Sequence, residues 1–451
     1  METTEKNTFD SLLEPCADFL AQEGEKIDTK TGSKKLFFAD FFKIIVFGVV
    51  GQIKTLKLLI TELKTSPTAG ALGLKPIPYN TLLDGFHRFG YKYFEKLFSK
   101  ILQSFQFKNV SELEEMGVFR LVDGSLFPTL SGIFWAEYKS KKNAIKLHLS
   151  FNLNQMISSE FLVDTGNSSE RGFLENILQK GITYIADRGY FSFDILYQIA
   201  SAMAFFVIRS KSNLIYTPTK TLEISSTIPE CFTEVSDIRA LMTNDPHQQE
   251  VRIIKFDVED SNFVLVTNRF DLTTLQLILL YAYRWQIELL FKFIKRSLGG
   301  IHLFNNSQNG VTVQFYILMI VTLLQLRLKQ ECIDMVEKLQ ENAQTNQKQE
   351  DVDPIQSKTR NNHDSLNQGN HSSKPMLETR VEGYIEQVQQ KEQKQNKFFR
   401  KSLLKPDVWI QNANRIFEKY WKITCHWLCK LKNFLALPFT EQIIKELAIY
   451  Q

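Results

Sequence analysis

The amino-acid sequence predicts an α/β fold with a helical region on either side. Between about residues 118 and 208, short apolar runs typical of buried strands alternate with segments of helical periodicity. The predicted strands are 118–122, 144–153, 161–163, 182–186 and 204–208, and the predicted helices are 170–180 and a segment that ends near 202. Strands that alternate with helices in this way indicate an α/β sheet.

The first hundred residues carry apolar side chains at helical spacing. We expect one helix over 37–64 and a second from an N-cap at Asn80 or Thr81 to about Ser104. The second helix carries a basic face that either lies along DNA or is a solvated surface: His87, Arg88, Lys92, Lys96 and Lys100. We therefore predict that residues 1–112 form a helical DNA-binding region.

Residues 113–330 form the predicted α/β domain, and a β-rich insertion at about 209–268 interrupts it. The clearest strands of the insertion are 251–256 and 263–267. After the insertion we predict one long helix over about 272–298, because its apolar residues repeat at helical spacing and two glycines follow.

The composition of the chain changes after residue 330. Residues 338–398 are rich in Gln, Asn, Ser and Lys, and no aromatic residue lies between Tyr316 and Tyr384. Such a segment buries too little apolar area to offset its ordering entropy, so we predict a polar low-complexity linker. Residues 399–451 contain aromatic side chains among basic ones and predict a basic helical C-terminal region (Trp409, Phe417, Trp421 and Trp427).

Composition also restricts the cellular setting. The net charge of +4 over 451 residues permits nucleic acid binding without itself indicating it. Five scattered cysteines fit a reducing compartment better than a disulfide framework, and the first nine residues contain no apolar signal segment, so we expect a cytoplasmic protein. The apolar run 311–326 is shorter than the ~20 residues of a membrane span. We expect a buried core helix there.

Two aspartates stand at the ends of predicted buried strands. Asp123 is followed by Gly124, and Asp187 is followed by an arginine and Gly189. Sites in α/β sheets form beyond the carboxyl ends of strands, where two such carboxylates would repel each other unless a cation lay between them. Carboxylate oxygens suit Mg²⁺. Each aspartate alone is weak evidence for a site, because many aspartates at strand ends only cap a turn.

The predicted long helix supplies a third acidic residue. Tyr281, Arg284, Glu288 and Lys295 are spaced i, i+3, i+7 and i+14, which on a continuous helix places them within about 60° of arc. They border an apolar stripe that would pack on the sheet. The alternative is a solvated face on which Arg284 and Glu288 form an i, i+4 ion pair.

These residues carry a family resemblance. Residues 281–295 resemble the Y-R-E-K signature of the insertion-sequence-four family of bacterial transposases at every position and spacing. Residues 122–125 and 185–190 resemble the family's first and second aspartate motifs, and 265–268 resemble the strand that enters its glutamate region. The resemblance covers roughly residues 119–328.

The resemblance implies a fold and a metal site. The fold is a ribonuclease-H-like catalytic core interrupted by a β-rich insertion, which agrees with the pattern of strands and helices above. Asp123, Asp187 and Glu288 would form the DDE triad that binds two divalent ions, Mg²⁺ or alternatively Mn²⁺.

The resemblance also implies contacts with DNA. Tyr281, Arg284 and Lys295 would bind phosphates of the transposon end, and Trp285 would stack on a flipped base near the cut. Two further candidates come from the residues themselves. Arg209 and Lys211 leave a strand near the predicted site, where they either touch DNA or are surface charges.

The resemblance implies cut-and-paste DNA transposition of an insertion sequence, in which metal-dependent strand cleavage is followed by strand transfer. The expected partners are terminal inverted repeats, target DNA and a second copy of the chain on DNA, without a membrane, in the bacterial cytoplasm at the nucleoid. Two alternatives stay open. The protein could be a nuclease of the same core without joining activity, or a catalytically inactive transposase-derived DNA-binding protein.

Overall fold

The structure is a computed structural model that describes most of the chain. It covers residues 6–105, 111–129, 133–136, 138, 143–224, 228–229, 231–258, 261–297, 303–350, 427 and 430–448. The predictions for residues 351–398, for nearly all of 399–429 and for the glycines after residue 298 lie outside these ranges.

Helices flank a central sheet. In chain order they are α1 Thr8–Leu13, α2 Ala17–Thr31, α3 Phe38–Val50, α4 Leu56–Thr65, α5 Pro67–Ala71, α6 Tyr79–Arg88, α7 Tyr91–Ser104, α8 Ser111–Glu114, α9 Glu170–Asn176, α10 Phe193–Ser201, α11 Thr274–Ala282, α12 Trp285–Ser297, α13 Gln308–Glu350 and α14 Glu441–Ala448. The prediction that the first hundred residues are helical is confirmed.

Phenylalanine side chains form the core of the N-terminal helices. Phe38 and Phe41 of α3 contact Phe86, Phe89 and Phe94 at tilted or edge-on angles, with closest ring centroids 5.0–5.5 Å apart. Aromatic pairs favour these arrangements over face-to-face stacking. The rings therefore fix α6 and α7 against α3.

Each long helix predicted in this region is divided into two. The segment 37–64 breaks between α3 and α4, where Thr55 caps α4 by accepting a hydrogen bond from the amide of Leu58. The chain from Tyr79 to Ser104 breaks after Arg88, and α6 begins directly after Pro78. Neither Asn80 nor Thr81 is therefore the N-cap.

A side chain from α13 stabilises the break between α6 and α7. Asn309 donates to the carbonyls of Phe86 and Phe89 at 2.7 and 3.0 Å, and it accepts from the amide of Tyr91 at 2.9 Å. Buried backbone groups that lose their helical partners need others. Because these partners come from more than 200 residues away, the local sequence did not reveal the break.

The sheet has nine strands in the described part of the chain. They are β1 Val118–Thr129, β2 Asn143–Asn152, β3 Ile157–Thr165, β4 Ile182–Ala186, β5 Phe205–Arg209, β6 Tyr216–Thr221, β7 Thr233–Met242, β8 Glu250–Val258 and β9 Ser261–Thr267. Their order across the sheet is β3-β2-β1-β4-β5-β9-β8-β7-β6. The predicted α/β class is confirmed, with β1, β4 and β5 parallel to one another.

The first strand is longer than the sequence predicts. It does not stop at Asp123 but continues to Thr129, because β2 pairs with it antiparallel over its whole second half, as far as Thr129 and Asn143. Its parallel pairing with β4 ends earlier, at Val122 and Ala186. Asp123 thus lies inside a strand, at the place where one of the two neighbouring strands ends.

The residues predicted as an insertion extend the same sheet. Strand β9 pairs antiparallel with β5, and β8, β7 and β6 follow it outward as a meander. A buried network attaches these strands to the start of α11, because Arg252 donates to Asp237 and to the carbonyls of Arg269 and Leu272. This network fixes the start of α11 relative to β7 and β8.

The predicted single helix over 272–298 is wrong. It consists of α11 and α12, with a turn at Tyr283 and Arg284 between them. A capping box at Thr273 begins α11, since Thr273 and Gln276 exchange side-chain and backbone hydrogen bonds. The calculation that placed four residues on one continuous helical face therefore does not apply.

Helix α13 forms part of the core and reaches beyond its predicted end. It packs against α1, α3, α6, α7, α14 and β3. It is long and apolar enough to cross a membrane, yet 89% of its most apolar window is buried inside the fold, as expected for a core helix. Because the helix continues to Glu350, the first residues of the predicted linker 338–398 are helical.

The two ends of the described chain lie together. The amides of Thr8 and Phe9 donate to the carbonyls of Leu437 and Leu435 at 2.9 and 3.0 Å, and the amide of Phe439 donates to Lys6 at 2.9 Å. Helix α14 packs against α13. The described part of the C-terminal region is therefore attached to the N-terminal helices.

Candidate active site

The two predicted aspartates occupy equivalent positions on neighbouring strands. Val122 of β1 and Ala186 of β4 form the last pair of their parallel ladder, and Asp123 and Asp187 each come next. Neighbouring strands lie about 4.8 Å apart, and side chains alternate between the two faces. Asp123 therefore lies on the same face as Leu121, the face on which α12 packs against β1.

Arg209 continues this row on the third parallel strand. Its neighbour Ile208 pairs with Ala186, so Arg209 lies beside Asp187 in register. The guanidinium stacks 4.2 Å from the ring centroid of Phe263 and donates to the carbonyl of Asn262 at 3.0 Å. Lys211 follows β5 and is exposed.

Arg284 connects the first strand to the third acidic residue. Its guanidinium lies 2.8 Å from Oε1 of Glu288 and 4.0 Å from Oδ2 of Asp123, and its side chain is largely buried. The turn between α11 and α12 makes this possible, because it directs Arg284 toward β1 at the beginning of α12. The structure thus brings Asp123 and Glu288 near two different nitrogens of one guanidinium group.

Tyr281 connects α11 to the second aspartate. Its hydroxyl donates to Oδ1 of Asp187 at 3.2 Å, and its ring meets Phe263 edge-on. The side chain is 6% exposed. Burial raises the pKa of Tyr281 to about 12, so the hydroxyl keeps its proton and remains a donor at neutral pH.

The remaining predicted contacts lie on α12. Lys295 is near Asp123, with Nζ 5.2 Å from the ring centroid of Phe127. Burial lowers the pKa of Lys295, and the charge of Asp123 opposes that shift. Trp285 is the first residue of α12, and its side chain lies outside the described part of the structure.

The surroundings of Asp123 disfavour the charged form of its carboxyl group. Burial raises the pKa of Asp123 to about 6, while the amide of Gly124 and the guanidinium of Arg284 act in the opposite direction. The negative charges of Glu170 and Glu288 add to the increase. A carboxyl group in this position needs a positive partner to stay charged, and among the described residues the nearest is Arg284.

The donor set fits a hard divalent cation. Asp123, Asp187 and Glu288 offer only carboxylate oxygens, which Mg²⁺ and Mn²⁺ accept. The position between Asp123 and Glu288 already holds a positive charge, that of Arg284. Within the described residues, the three groups are not yet close enough to form a metal-binding cluster. Arg284 would have to give up its place to a metal ion.

A fourth carboxylate, that of Glu170, lies near the site and was not predicted from the sequence. It opens α9 and forms a 2.8 Å ion pair with Lys146 of β2, close enough to Asp123 to affect its charge. The sequence around it, a serine N-cap followed by an acidic residue, signals only the start of a helix. Its neighbours come from β1, β2 and the turn after β4, which only the fold brings together.

Carboxylates on neighbouring parallel strands, beside buried basic side chains, are groups with which one class of enzymes, those that cut phosphodiesters, holds its metal ions. Comparison with known proteins narrows this class. Residues 115–324 match the family model of the transposase DDE domain. That range contains β1, β4 and α12, and with them Asp123, Asp187 and Glu288.

Two relatives are named as transposases. A transposase (y4zB) of Sinorhizobium fredii is 27% identical over 212 residues, which are 46% of this chain and 60% of that protein. A transposase for insertion sequence element IS5377 of Geobacillus stearothermophilus is 23% identical over 258 residues, 56% of this chain and 67% of that protein. The chain therefore spans about two thirds or less of the length of these relatives.

A search of solved structures found an endonuclease V from Bacillus subtilis at 9% identity and a TM-score of 0.19, covering 54% of this chain and 96% of that chain. By the domain match and the two relatives, this chain is similar to DDE transposases.

Proposed function

We propose that this protein is a transposase of the insertion-sequence-four family, with a ribonuclease-H-like core, that cuts and joins DNA at the ends of its element. One observation supports the proposal most directly. Within the range that matches the DDE domain, Arg284 contacts Glu288 and approaches Asp123, while Tyr281 bonds Asp187. Two residues of the Y-R-E-K motif, Tyr281 and Arg284, thus contact carboxylates that we propose bind the metal ions.

Asp123, Asp187 and Glu288 are the groups that would hold the divalent cations. DDE domains generally use such ions, which activate the attacking hydroxyl and stabilise the leaving oxygen of a phosphodiester. The strand register keeps the two aspartates side by side, and α12 brings the glutamate to the same face of the sheet. Mg²⁺ is the expected ion and Mn²⁺ the alternative.

The basic residues would bind the phosphates of the transposon end. Arg284 can exchange its carboxylate partners for a phosphate, because the planar guanidinium suits both. Lys295, over the ring of Phe127 on β1, and Arg209, over the ring of Phe263 on β9, would extend the positive surface around the aspartates. Tyr281 keeps its proton and can donate to a phosphate oxygen. Lys211 and Trp285 would contact the DNA strand at a greater distance from the cut.

The reaction also suggests the partners. Cutting two inverted repeats in one complex requires two active sites, so we propose a homodimer that assembles on DNA, in the bacterial cytoplasm at the nucleoid. Water would attack first and release a 3′-hydroxyl. That hydroxyl would then attack a phosphodiester of the target DNA.

A plasmid test can separate cutting from joining. The substrate is a supercoiled plasmid that carries the gene between its own flanking DNA, incubated with purified protein, Mg²⁺ or Mn²⁺, and a target plasmid. We expect excised and inserted products from the unchanged protein. The variants Asp123→Asn, Asp187→Asn and Glu288→Gln should lose at least about 100-fold in both steps, more than the loss of a supporting contact costs.

The variant Glu160→Gln is the matched control, because Glu160 is an ion-paired carboxylate on β3 that contacts Arg120. It should cut and join normally. Excision without insertion would identify a nuclease instead, and DNA binding without cutting would identify an inactive DNA-binding protein. Undiminished activity of the three acidic variants would refute the proposed site.

A further inference from the structure

A cluster of polar side chains lies behind the two aspartates. Gly124 follows Asp123 in β1 and so faces the opposite side of the sheet, the side of Val122 and α9. The cluster on that side consists of Glu170, Lys146 and Tyr190, packed against Gly124 and Gly189. We call it the Glu170 cluster.

The two glycines make room for the carboxylate of Glu170. A Cβ atom on Gly124 would lie 3.2 Å from Oε1 of Glu170, and a Cβ atom on Gly189 would lie 2.9 Å from Oε2. Each oxygen therefore fits against the backbone that follows one of the aspartates. This close approach gives a physical reason for the glycine that accompanies each aspartate in the sequence, since any larger residue would push Glu170 away.

Lys146 neutralises the charge that Glu170 brings. Its Nζ lies 2.8 Å from Oε1 of Glu170 and donates to the carbonyl of Ser168 at 3.2 Å. The lysine side chain is largely buried, so this ion pair is held in one place. A neutralised carboxylate can remain close to Asp123 at a smaller electrostatic cost than a bare one.

Tyr190 is the unexplained member of the cluster. It is 1% exposed, and its hydroxyl has no hydrogen-bond partner among the described residues. Burial and the nearby charges of Asp123 and Glu170 raise the pKa of Tyr190 well above its usual value. A buried hydroxyl without a partner costs roughly 1–3 kcal/mol. Phenylalanine would pack as well without that cost.

We propose that Glu170 and Tyr190 are positioning residues for the aspartate pair, a proposal that rests on the proposed function. Glu170 supports the backbone after Asp123 and after Asp187, which keeps both carboxylates in register. Tyr190 supplies a buried hydroxyl, without a partner among the described residues, that can donate to a carboxylate of the site when a cation is bound. Groups that orient a metal-binding carboxylate typically change metal affinity by 10–100-fold when they are removed.

Manganese binding to the full-length protein tests this without relying on activity. Free Mn²⁺ is measured by electron paramagnetic resonance during titration of the unchanged protein, Tyr190→Phe and Glu170→Gln. Two controls match the chemistry. Tyr184→Phe removes a buried hydroxyl that donates to Ile177 at 2.6 Å, and Glu160→Gln removes a carboxylate as paired and as exposed as Glu170.

We expect Tyr190→Phe and Glu170→Gln to bind Mn²⁺ about tenfold more weakly, with both controls within twofold of the unchanged protein. The melting temperature of Tyr190→Phe should stay the same or increase, because an unpaired hydroxyl is lost. If Tyr190→Phe binds Mn²⁺ as tightly as the unchanged protein, the proposed role of Tyr190 is refuted, and the proposal with it. If the unchanged protein binds no Mn²⁺, or Asp123→Asn binds it equally well, the proposed function fails instead.

Discussion

Arg284 and Glu288 form an ion pair, 2.8 Å long, at the junction of α11 and α12. The same guanidinium lies 4.0 Å from Asp123. Arg284 therefore supplies positive charge at the place where the proposed function requires a divalent cation. A metal ion and Arg284 compete for the same carboxylates, and a phosphate competes with those carboxylates for Arg284.

Replacing Arg284 by glutamine should strengthen metal binding and weaken DNA binding. Removal of a competing ion pair worth about 1 kcal/mol would increase the affinity for Mn²⁺ roughly 3–10-fold. The affinity for DNA should decrease, because a phosphate contact is lost. Manganese titration at pH 8, where Asp123 is charged, measures the first effect, and a gel shift with DNA that flanks the gene measures the second.

Arg327→Gln is the matched control for this prediction. Arg327 forms an i, i+4 ion pair with Glu331 on α13, with similar geometry and partial burial. It should change neither affinity. Weaker Mn²⁺ binding by the Arg284 variant would mean that the arginine helps to assemble the site rather than competing for it.

Local patterns were sufficient to predict the strands that carry the aspartates. The buried run 182–186 is β4 with the predicted bounds, and Asp187 follows it. The sequence failed where the deciding contact is distant. Strand β1 passes through Asp123 because β2 pairs with its second half, and Glu170 reaches the site only through the fold.

The break between α11 and α12 had no local signal. Neither glycine nor proline occurs near Tyr283, and the apolar residues continue at helical spacing across the turn. The turn coincides with two long-range contacts, from Tyr281 to Asp187 and from Arg284 to Asp123. Functional sites commonly depart from local preferences in this way, and the spacing of the motif was informative even though the predicted continuous helix was wrong.

Acid should destabilise the protein through His148. The ring is buried, bonds Ser168 at 2.7 Å and stacks on Phe173, and burial lowers the pKa of His148 to about 4. In the unfolded chain the pKa of His148 is near 6.5, so His148 takes up a proton there at a higher pH than in the folded protein. The free energy of unfolding is therefore highest above pH 6.5 and decreases as the pH falls toward 4, by up to about 2 kcal/mol at pH 5.

Melting temperatures at pH 7.5 and pH 5 measure this effect. His148→Phe keeps a ring against Phe173 and removes the titrating group, so its melting temperature should fall less between the two pH values than that of the unchanged protein. Equal decreases in the two proteins would show that other groups cause the acid sensitivity.

The buried ion pair between β7 and β8 should be essential for stability. Asp237 accepts from Nε of Arg252 at 2.9 Å, and both side chains are almost fully buried. Asp237→Ala would leave Arg252 buried without its partner, at a cost of about 3–5 kcal/mol. Because Arg252 also holds the start of α11, the variant should lower both the melting temperature and the activity.

An exposed pair on the same two strands provides the control. Arg239 and Glu250 are 3.7 Å apart and half exposed. Glu250→Ala should cost less than about 1 kcal/mol, as is usual for surface pairs. Similar decreases in melting temperature for both variants would refute the distinction between the buried and the exposed pair.

Two helical glycines should respond to alanine in opposite directions. A Cβ atom on Gly85 of α6 would lie 2.7 Å from Cδ2 of Phe41 and 3.2 Å from Cδ2 of Leu36. Phe41 cannot move easily, since its ring is held edge-on by Phe86 at 5.0 Å. Overpacking of this kind costs about 1–3 kcal/mol, so Gly85→Ala should lower the melting temperature.

Apart from the backbone of its own helix and its chain neighbours, Gly24 of α2 has no atom within 4 Å of the position of a Cβ atom. Gly24→Ala should therefore stabilise the protein by roughly 0.5–1 kcal/mol, because alanine loses less backbone entropy in a helix. Differential scanning calorimetry of both variants measures the two shifts. A stabilising Gly85→Ala would mean that α6 can move away from α3, and the close packing of these helices would then not determine the position of α6.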